Sequence, residues 1–110
     1  MIRRDFVPIA LHGNFGNPRP ALVIQSDMFD RHATVTVLLV SSTLIDAPLF
    51  RVTVQPDEAN GLKRPSQVMV DKAMTVRREK FGKPFGSLDA DLMYLSGAPH
   101  IERAGFAVAE

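Results

Sequence analysis

The sequence predicts a small, mainly β (α+β) protein, a strongly bent β barrel with a C-terminal helix packed on it. Three observations favour this fold class. The 110 residues leave room for one domain, over residues 1–110. Short runs rich in Val, Ile, Leu and Phe, separated by turn residues, fill the chain up to residue 70. Beyond residue 75 the apolar spacing becomes helical, so several strands precede a helical tail.

Five segments have the composition of strands. The first two, residues 5–11 and 21–25, flank a turn-rich connection. Residues 34–40 begin with alternating Thr and Val and end as a continuous apolar run, which predicts a strand buried on both faces toward its end. Residues 50–54 alternate with period two, as a strand with one wet face does. Residues 67–70 are the fifth predicted strand.

Two segments around the fifth strand follow other patterns. Residues 55–64 contain Pro, Asp, Asn and Gly and are predicted to form a loop. Residues 76–81 predict one or two helical turns that end at Gly82.

The end of the chain has the pattern of a helix. Ser87 is predicted to cap it, and the apolar residues at 88, 92 and 95 lie on one face. The Gly-Ala-Pro sequence at 97–99 interrupts this helix. A second short helix is expected from Pro99 toward Val108.

The composition excludes several kinds of site. The chain has no Cys, which removes zinc ribbons, iron–sulfur clusters, thiol catalysis and disulfides. Its three His residues are scattered, so a metal site would need residues far apart in sequence. The sequence therefore predicts neither a metal nor a cofactor.

The charge is nearly balanced overall but uneven along the chain. The 13 Lys and Arg and 12 Asp and Glu give a formal net charge of +1, so nucleic acid would have to meet a local patch. Residues 61–86 hold seven Lys and Arg against two acids, whereas residues 87–110 hold four acids against one Arg. Four arginines are interpreted as solvated surface charges: Arg31, Arg51, Arg77 and Arg78.

The start of the chain is charged and lacks the long apolar region of a signal peptide. The longest mostly apolar run, residues 35–40, is far shorter than the ~20 residues that cross a bilayer. The expectation is therefore a soluble, cytoplasmic protein.

Arg19 is the first candidate functional residue. It stands between Pro18 and Pro20 directly before an apolar strand, so its backbone is stiff. A guanidinium is permanently charged, and its fork of donors matches two phosphate oxygens, as holding a pentacovalent phosphorane requires. The alternative is an exposed arginine at a strand start, and the spacing leaves both interpretations open.

Three consecutive hydroxyl residues form the second candidate group. Ser41, Ser42 and Thr43 follow a fully apolar strand, at a strand end where a site can open. Their hydroxyls can bond phosphate oxygens or base edges. The alternative is a turn in which the same hydroxyls satisfy backbone groups.

Together these segments resemble the MazF/PemK family of toxins from type II toxin–antitoxin modules. The resemblance covers roughly residues 3–92. It rests on Arg4-Asp5, on the Arg-Pro-Ala-Leu-Val-Ile-Gln-Ser-Asp block at 19–27, on residues 41–44 with 47–52, and on residues 62–71 leading to 74–76.

The family resemblance implies an SH3-like barrel with a C-terminal helix, a homodimer, and a cognate antitoxin as protein partner. It also implies metal-independent, sequence-selective cleavage of single-stranded RNA. In that chemistry the RNA 2′-hydroxyl attacks its own phosphodiester, leaving a 2′,3′-cyclic phosphate and a 5′-hydroxyl, so no protein nucleophile is needed.

The resemblance also implies roles for individual residues. The family's catalytic arginine falls on Arg19, its catalytic threonine falls on Ser41, and an acid of the PemK branch falls on Asp71. Phe15 either stacks on an unpaired base or covers the mouth of the barrel, and both interpretations stay open. The implied RNA-binding residues are Asn14, Phe15, Asn17, Gln25, Ser42, Thr43 and Lys72.

Some positions depart from the family pattern. Arg4 stands where the family has Gly, and Lys72 stands where Gln is common. Ser41 keeps the hydroxyl of the usual Thr but loses the methyl that restricts its rotamer, so lower activity is expected. His12 is either a turn residue or a second acid or base near the site.

Two other functions stay open on this fold. One is a CcdB-like gyrase poison, which binds a protein target and cuts no RNA itself. That branch uses C-terminal aromatic and aliphatic residues, whereas this chain ends Phe-Ala-Val-Ala-Glu and has no Trp. The other is an inactive SH3-like binding module, for which the Ser at position 41 is the best argument.

Overall fold

The computed structural model describes residues 1–10, 18–27, 32–47 and 49–95. The elements are β1 (Asp5–Ile9), β2 (Arg19–Val23), β3 (Thr34–Ser41), β4 (Arg51–Val54), β5 (Ser66–Arg77), β6 (Gly86–Ser87) and α1 (Ala90–Leu95). The described strands form one antiparallel sheet in the order β4-β5-β3-β2-β1-β6, curled into a half-barrel. A turn of 3₁₀ helix, Arg78–Lys80, follows β5. The mainly β architecture with a helix at its end is therefore confirmed.

Strands β1, β2 and β3 form the buried centre of the sheet. Phe6 faces Leu22, which faces Leu38, and residues paired in this way project from the same face of the sheet. Alternate residues such as Val23 and Val37 project from the opposite face and are buried as well. The centre of the sheet is thus buried on both faces, as the apolar run in β3 indicates.

Two hydrophobic clusters hold the curled sheet together. Each fully buried aliphatic side chain contributes about 1.5–3 kcal/mol relative to exposure. The larger cluster joins one face of the sheet to residues beyond β6 and contains Phe6, Leu22, Ile24, Leu38, Val40, Val54, Val68, Leu88 and Met93. The smaller cluster contains Val7, Ile9, Ala21, Val23, Val35 and Val37.

Strand β5 is longer than the sequence indicates. The strand expected over 67–70 is confirmed within it, but the helical turns expected over 76–81 are wrong at Val76 and Arg77, which belong to the strand. Both residues pair with the start of β3. This pairing joins segments far apart in sequence, so it overrides a local pattern that suggests a helix.

Strand β5 also bulges where it passes the end of β3. The register shifts between Leu38 and Val40, so that residues 69–72 of β5 oppose a single β3 residue. Asp71 and Lys72 lie in this bulge with exposed side chains. A bulge bends its strand and increases the local twist, which favours a curled sheet.

The helix begins later than expected. Ser87 is a β6 residue whose N–H donates to the carbonyl of Ala59 at 2.8 Å, so the expectation that it caps the helix is wrong. Asp89 is the cap, since its Oδ1 accepts a hydrogen bond from the N–H of Asp91 at 3.1 Å. No helix in the described part of the chain is long and apolar enough to span a bilayer. The second helix expected over 99–108 lies outside the described residues.

The loop expected over 55–64 is confirmed, and a single buried side chain organises it. The Oδ1 of Asn60 accepts hydrogen bonds from the N–H groups of Asp57 at 3.1 Å and Leu62 at 2.9 Å. Its Nδ2 donates to the carbonyl of Gln55 at 2.8 Å. Asn60 therefore satisfies three backbone groups and gives an irregular segment a defined shape.

Arg4 has a backbone conformation that favours glycine. Its φ is 77°, in the left-handed region. Its N–H donates to the carbonyl of Val23 at 2.9 Å, and its carbonyl accepts from the N–H of Leu88 at 2.8 Å. These two bonds hold the conformation. Its positive φ gives a physical reason for the Gly that the family pattern has at this position.

Arg77 and Arg78, both interpreted from the sequence as solvated surface charges, have different surroundings. Arg78 is half-buried, and its Nε donates to the carbonyl of His32 at 2.8 Å, so that interpretation is wrong for Arg78. Arg77 is exposed and lies 3.9 Å from the carboxylate of Glu79. Arg31 lies outside the described residues.

Candidate active-site cleft

An open cleft of about 620 Å³ lies where β2 begins and β3 ends. These strands are antiparallel neighbours, so the start of one lies beside the end of the other. For this reason Arg19 and the hydroxyl block at 41–43, which are far apart in sequence, share one cleft. The cleft is lined by Pro8, Pro18, Arg19, Pro20, Val40, Ser41, Ser42, Thr43, Gly61, Leu62, Lys63, Arg64, Ser66 and Phe85.

Arg19 is held by a rigid stretch of backbone. It is the first residue of β2, rather than the residue before the strand, and its side chain is exposed. Pro20 faces Pro8 across the ladder. Because proline has no N–H, this pair must occupy a position without ladder hydrogen bonds. With Pro18 on its other side, Arg19 presents its guanidinium from a backbone that has little freedom.

The hydroxyl block begins at the last residue of β3. Ser41 is half-buried, whereas Ser42 and Thr43 are exposed. The N–H of Thr43 donates to the Oγ of Ser41 at 3.0 Å. The Ser41 hydroxyl therefore satisfies a backbone group within a turn, which is the alternative role that the sequence left open. This bond uses only one lone pair of the hydroxyl, so the O–H of Ser41 can still donate to a ligand.

Gln67 holds the backbone that follows the hydroxyl block. It is buried at the start of β5, and its amide pairs with Ile45, donating to the carbonyl at 3.0 Å and accepting from the N–H at 3.1 Å. Its Oε1 also accepts from Nη1 of Arg51 at 3.2 Å, and the same nitrogen lies 3.4 Å from the carbonyl of Thr43. The interpretation of Arg51 as a solvated surface charge is therefore wrong. Gln67 is not among the functional residues that the sequence predicts. The signal available there is a polar residue beside an apolar run.

The cleft carries positive charge. Lys63 and Arg64 project from the loop that Asn60 organises, and both are exposed. With Arg19 they make three cations, and none of the described residues that line the cleft is Asp or Glu. Elsewhere in the described part of the chain, His, Asp and Glu form no group of three that could hold a metal ion. Three cations without a facing carboxylate favour an anionic ligand.

The structure does not bring every predicted residue to this cleft. Gln25 is 3% exposed, and its Oε1 accepts from the N–H of Thr36 at 3.3 Å, a position that does not fit the expected RNA contact. Asp71 and Lys72 are exposed in the β5 bulge and do not line the cleft. Four further candidates lie outside the described residues: His12, Asn14, Phe15 and Asn17.

Residues 3–95 match the family model described as PemK-like, MazF-like toxin of type II toxin–antitoxin system. A curated protein of Mycolicibacterium smegmatis, named probable endoribonuclease MazF, is 42% identical to this chain over 89 residues. The aligned region covers 80% of this chain and 82% of that protein.

Solved structures have the same fold. The Mycobacterium tuberculosis toxin MazF-mt6 matches with a TM-score of 0.73 and 22% identity, over 93% of this chain and 97% of that chain. An endoribonuclease in complex with its cognate antitoxin, from a mycobacterial species, matches with a TM-score of 0.74 and 19% identity, over 96% of this chain and 95% of that chain.

Proposed function

The chain belongs to the family of PemK-like and MazF-like toxins of type II toxin–antitoxin systems, and we propose from that premise that it is an endoribonuclease cleaving single-stranded RNA. The observation that carries the proposal is the cleft that the exposed Arg19 lines together with Ser41, Ser42 and Thr43. Cations and hydroxyl donors are the groups that bind a phosphodiester. The name of the 42% identical relative, probable endoribonuclease, supports the same activity.

The proposed reaction uses the substrate's own nucleophile. The RNA 2′-oxygen forms a bond to the adjacent phosphorus, and the bond from phosphorus to the 5′-oxygen breaks. The 2′-hydroxyl gives up its proton to water in the open cleft, and the departing 5′-oxygen gains one from water, so the products are a 2′,3′-cyclic phosphate and a 5′-hydroxyl. DNA lacks the 2′-hydroxyl and would not be cut. The step needs no metal ion as nucleophile or template.

The cleft residues would act on the charge that develops at phosphorus. Arg19 would hold two non-bridging oxygens of the phosphorane with its fork of donors and stabilise the charge that develops there. Ser41 would donate its remaining O–H to the same phosphate, with Ser42 and Thr43 as further phosphate or base contacts. Asp71 and Lys72 remain proposals from family resemblance alone, because they do not line the cleft of their own chain.

The proposal includes the partners and the setting of the toxin. We infer that it cuts at preferred short sequences in the cytoplasm and acts as a homodimer. A cognate antitoxin would inhibit it, as is supported by the structural relative that is described in complex with its cognate antitoxin. The antitoxin would insert extended or helical segments into a groove of the toxin dimer, because protein grooves bind peptide segments of both kinds.

The test is cleavage of a long single-stranded RNA by the purified protein in EDTA, with the ends of the fragments mapped and analysed. We expect cleavage at specific sites that leaves cyclic phosphate and 5′-hydroxyl ends. Arg19→Ala should lower the rate about 10²–10³-fold, as loss of one oxyanion donor does in other enzymes. Arg19→Lys should recover little, because lysine keeps the charge but not the fork.

The matched control is Arg77→Ala, which removes an exposed arginine that does not line the cleft, and its rate should be unchanged. Cleavage that needs added metal, or 3′-hydroxyl ends, would contradict the mechanism. No cleavage together with inhibition of gyrase supercoiling would favour the gyrase poison, and neither activity would favour the inactive binding module.

A further inference from the structure

Phe85 is an aromatic residue in the cleft to which neither the sequence nor the family resemblance gives a role. Phe85 is a large apolar residue, yet it is 39% exposed. It lines the cleft together with Leu62 and the cations Lys63 and Arg64. The described part of the chain exposes other large apolar residues, such as Phe50, but these do not line the cleft. Phe85 therefore places an apolar ring beside groups that bind phosphate.

The ring of Phe85 rests on the hydrophobic core. It stacks with the ring of Phe6, with 6.1 Å between the centroids and 20° between the planes. Phe6 itself is fully buried. The N–H of Phe85 donates to the carbonyl of Phe6 at 2.9 Å. One ring thus supports the other from the core side, and the backbone of Phe85 is tied to β1.

The loop that carries the cations packs directly against Phe85. Gly61 has a φ of 68°, and a Cβ at this position would lie 2.3 Å from the carbonyl oxygen of Phe85 and 3.0 Å from its Cδ1. Only glycine fits so close an approach at positive φ. The ring and the backbone of the loop that carries the two cations are therefore held in one arrangement before any ligand binds, and a preformed site loses little entropy on binding.

We propose that Phe85 is a stacking platform for one nucleobase of the single-stranded RNA whose phosphates meet Arg19, Lys63 and Arg64. An aromatic ring within a cationic groove is the combination that binds single-stranded nucleic acid, because bases stack on the ring while cations hold the backbone. The absence of Asp and Glu among the described lining residues favours a polyanion over a basic peptide. The inference rests on the proposed function and adds a base subsite to it.

The test measures binding of a short RNA that carries the mapped cut sequence and a 2′-deoxy sugar at the cut position, so that it cannot react. Each nucleotide is replaced in turn by an abasic one. For the wild-type protein, one abasic position should weaken binding about 5-fold to 150-fold, which is the contribution of one base stacked on an aromatic ring. Phe85→Leu should weaken binding of the parent RNA by a similar factor, and the same abasic position should then have no further effect.

Two variants separate stacking from loss of structure. Phe85→Tyr keeps an aromatic face and should bind within about 2-fold of wild type, because tyrosine stacks as phenylalanine does. Phe50→Leu removes an exposed phenylalanine outside the cleft and should bind like wild type. Melting curves confirm that each variant is folded at the assay temperature.

The outcomes are distinguishable. The stacking platform is overturned if Phe85→Leu binds the RNA as tightly as wild type, or if the abasic profile of Phe85→Leu is unchanged. In either case RNA cleavage by the wild type still supports the proposed function. If Phe85→Tyr weakens RNA binding as much as Phe85→Leu does, the stacking platform is also overturned, because the loss of affinity would then follow any change at this position. A wild-type protein that neither binds nor cuts RNA overturns both proposals.

Discussion

At the scale of single residues, the hydroxyl block owes its position to a side chain from another strand. Gln67 of β5 bonds both backbone groups of Ile45, and Arg51 of β4 bonds Gln67 and approaches the carbonyl of Thr43. Neither residue lines the cleft. Their contribution is to position the groups that do, and a displacement of about 1 Å at a reacting group can lower a rate by orders of magnitude.

We expect Gln67→Leu to lower the rate of RNA cleavage about 10-fold, with a larger effect on kcat than on KM, because the hydroxyls would no longer be held against the reacting phosphate. The substitution also removes buried hydrogen bonds and should cost about 1–3 kcal/mol of stability. Single-turnover cleavage at a temperature where the variant is fully folded separates the two effects.

The matched control for Gln67 is Thr53→Val. It removes only the bond in which Nε2 of Gln67 donates to Oγ1 of Thr53 at 3.2 Å and leaves the pairing with Ile45 in place. Its cleavage rate should stay close to that of wild type. If Gln67→Leu cleaves as fast as Thr53→Val, the positioning role is wrong.

At the scale of elements, the loop between β4 and β5 forms one wall of the cleft. It contributes Gly61, Leu62, Lys63 and Arg64 to the lining. Loops without secondary structure must satisfy their backbone groups in other ways. Here Asn60 does so from a buried position, which gives a defined shape to the backbone of the segment that carries the two cations.

Asn60→Ala should destabilise the fold by about 2–3 kcal/mol, because it leaves the N–H groups of Asp57 and Leu62 and the carbonyl of Gln55 without their partner. In a protein of this size that corresponds to a fall in Tm of about 10 °C or more. Thermal unfolding by circular dichroism measures it. Glu58→Ala, an exposed change in the same loop, should alter stability by less than about 0.5 kcal/mol, and a similar loss in both variants would contradict the role of Asn60.

At the scale of the whole molecule, the fold concentrates positive charge that the composition conceals. The formal net charge is only +1, yet Arg19 from β2 meets Lys63 and Arg64 from a distant loop. Binding of single strands releases about 0.7 counterions per neutralised phosphate. A cleft with three cations therefore gives an RNA affinity that depends modestly on salt.

We expect a plot of the logarithm of the RNA binding constant against the logarithm of salt concentration to have a slope of about −2. Lys63→Gln should make the slope shallower by about 0.7, because one fewer phosphate is neutralised. Lys83→Gln removes an exposed charge of the same basic segment that does not line the cleft, and it should leave the slope unchanged. The cleft would not be the contact surface if Lys83→Gln changed the slope and Lys63→Gln did not.

The sequence by itself determined the features that are encoded locally. Alternating and continuous apolar runs located β1 to β4 and the core of β5, because side-chain burial in a strand follows directly from the order of residues. The prolines around Arg19 and the three hydroxyls after β3 were equally visible. Family resemblance predicted the toxin family, and the family match over residues 3–95 confirmed it.

Tertiary structure alone decided what depends on partners distant in sequence. Pairing with β3 extended β5 to Arg77, and strand pairing at Ser87 moved the helix start to Ala90. Long-range contacts also buried Gln25 against Thr36 and placed Phe85 in the same cleft as the cations of a different loop, since no local pattern records which segments meet when a sheet curls. The sequence thus supplied the chemical groups of this protein, and the folded chain decided which of them act together.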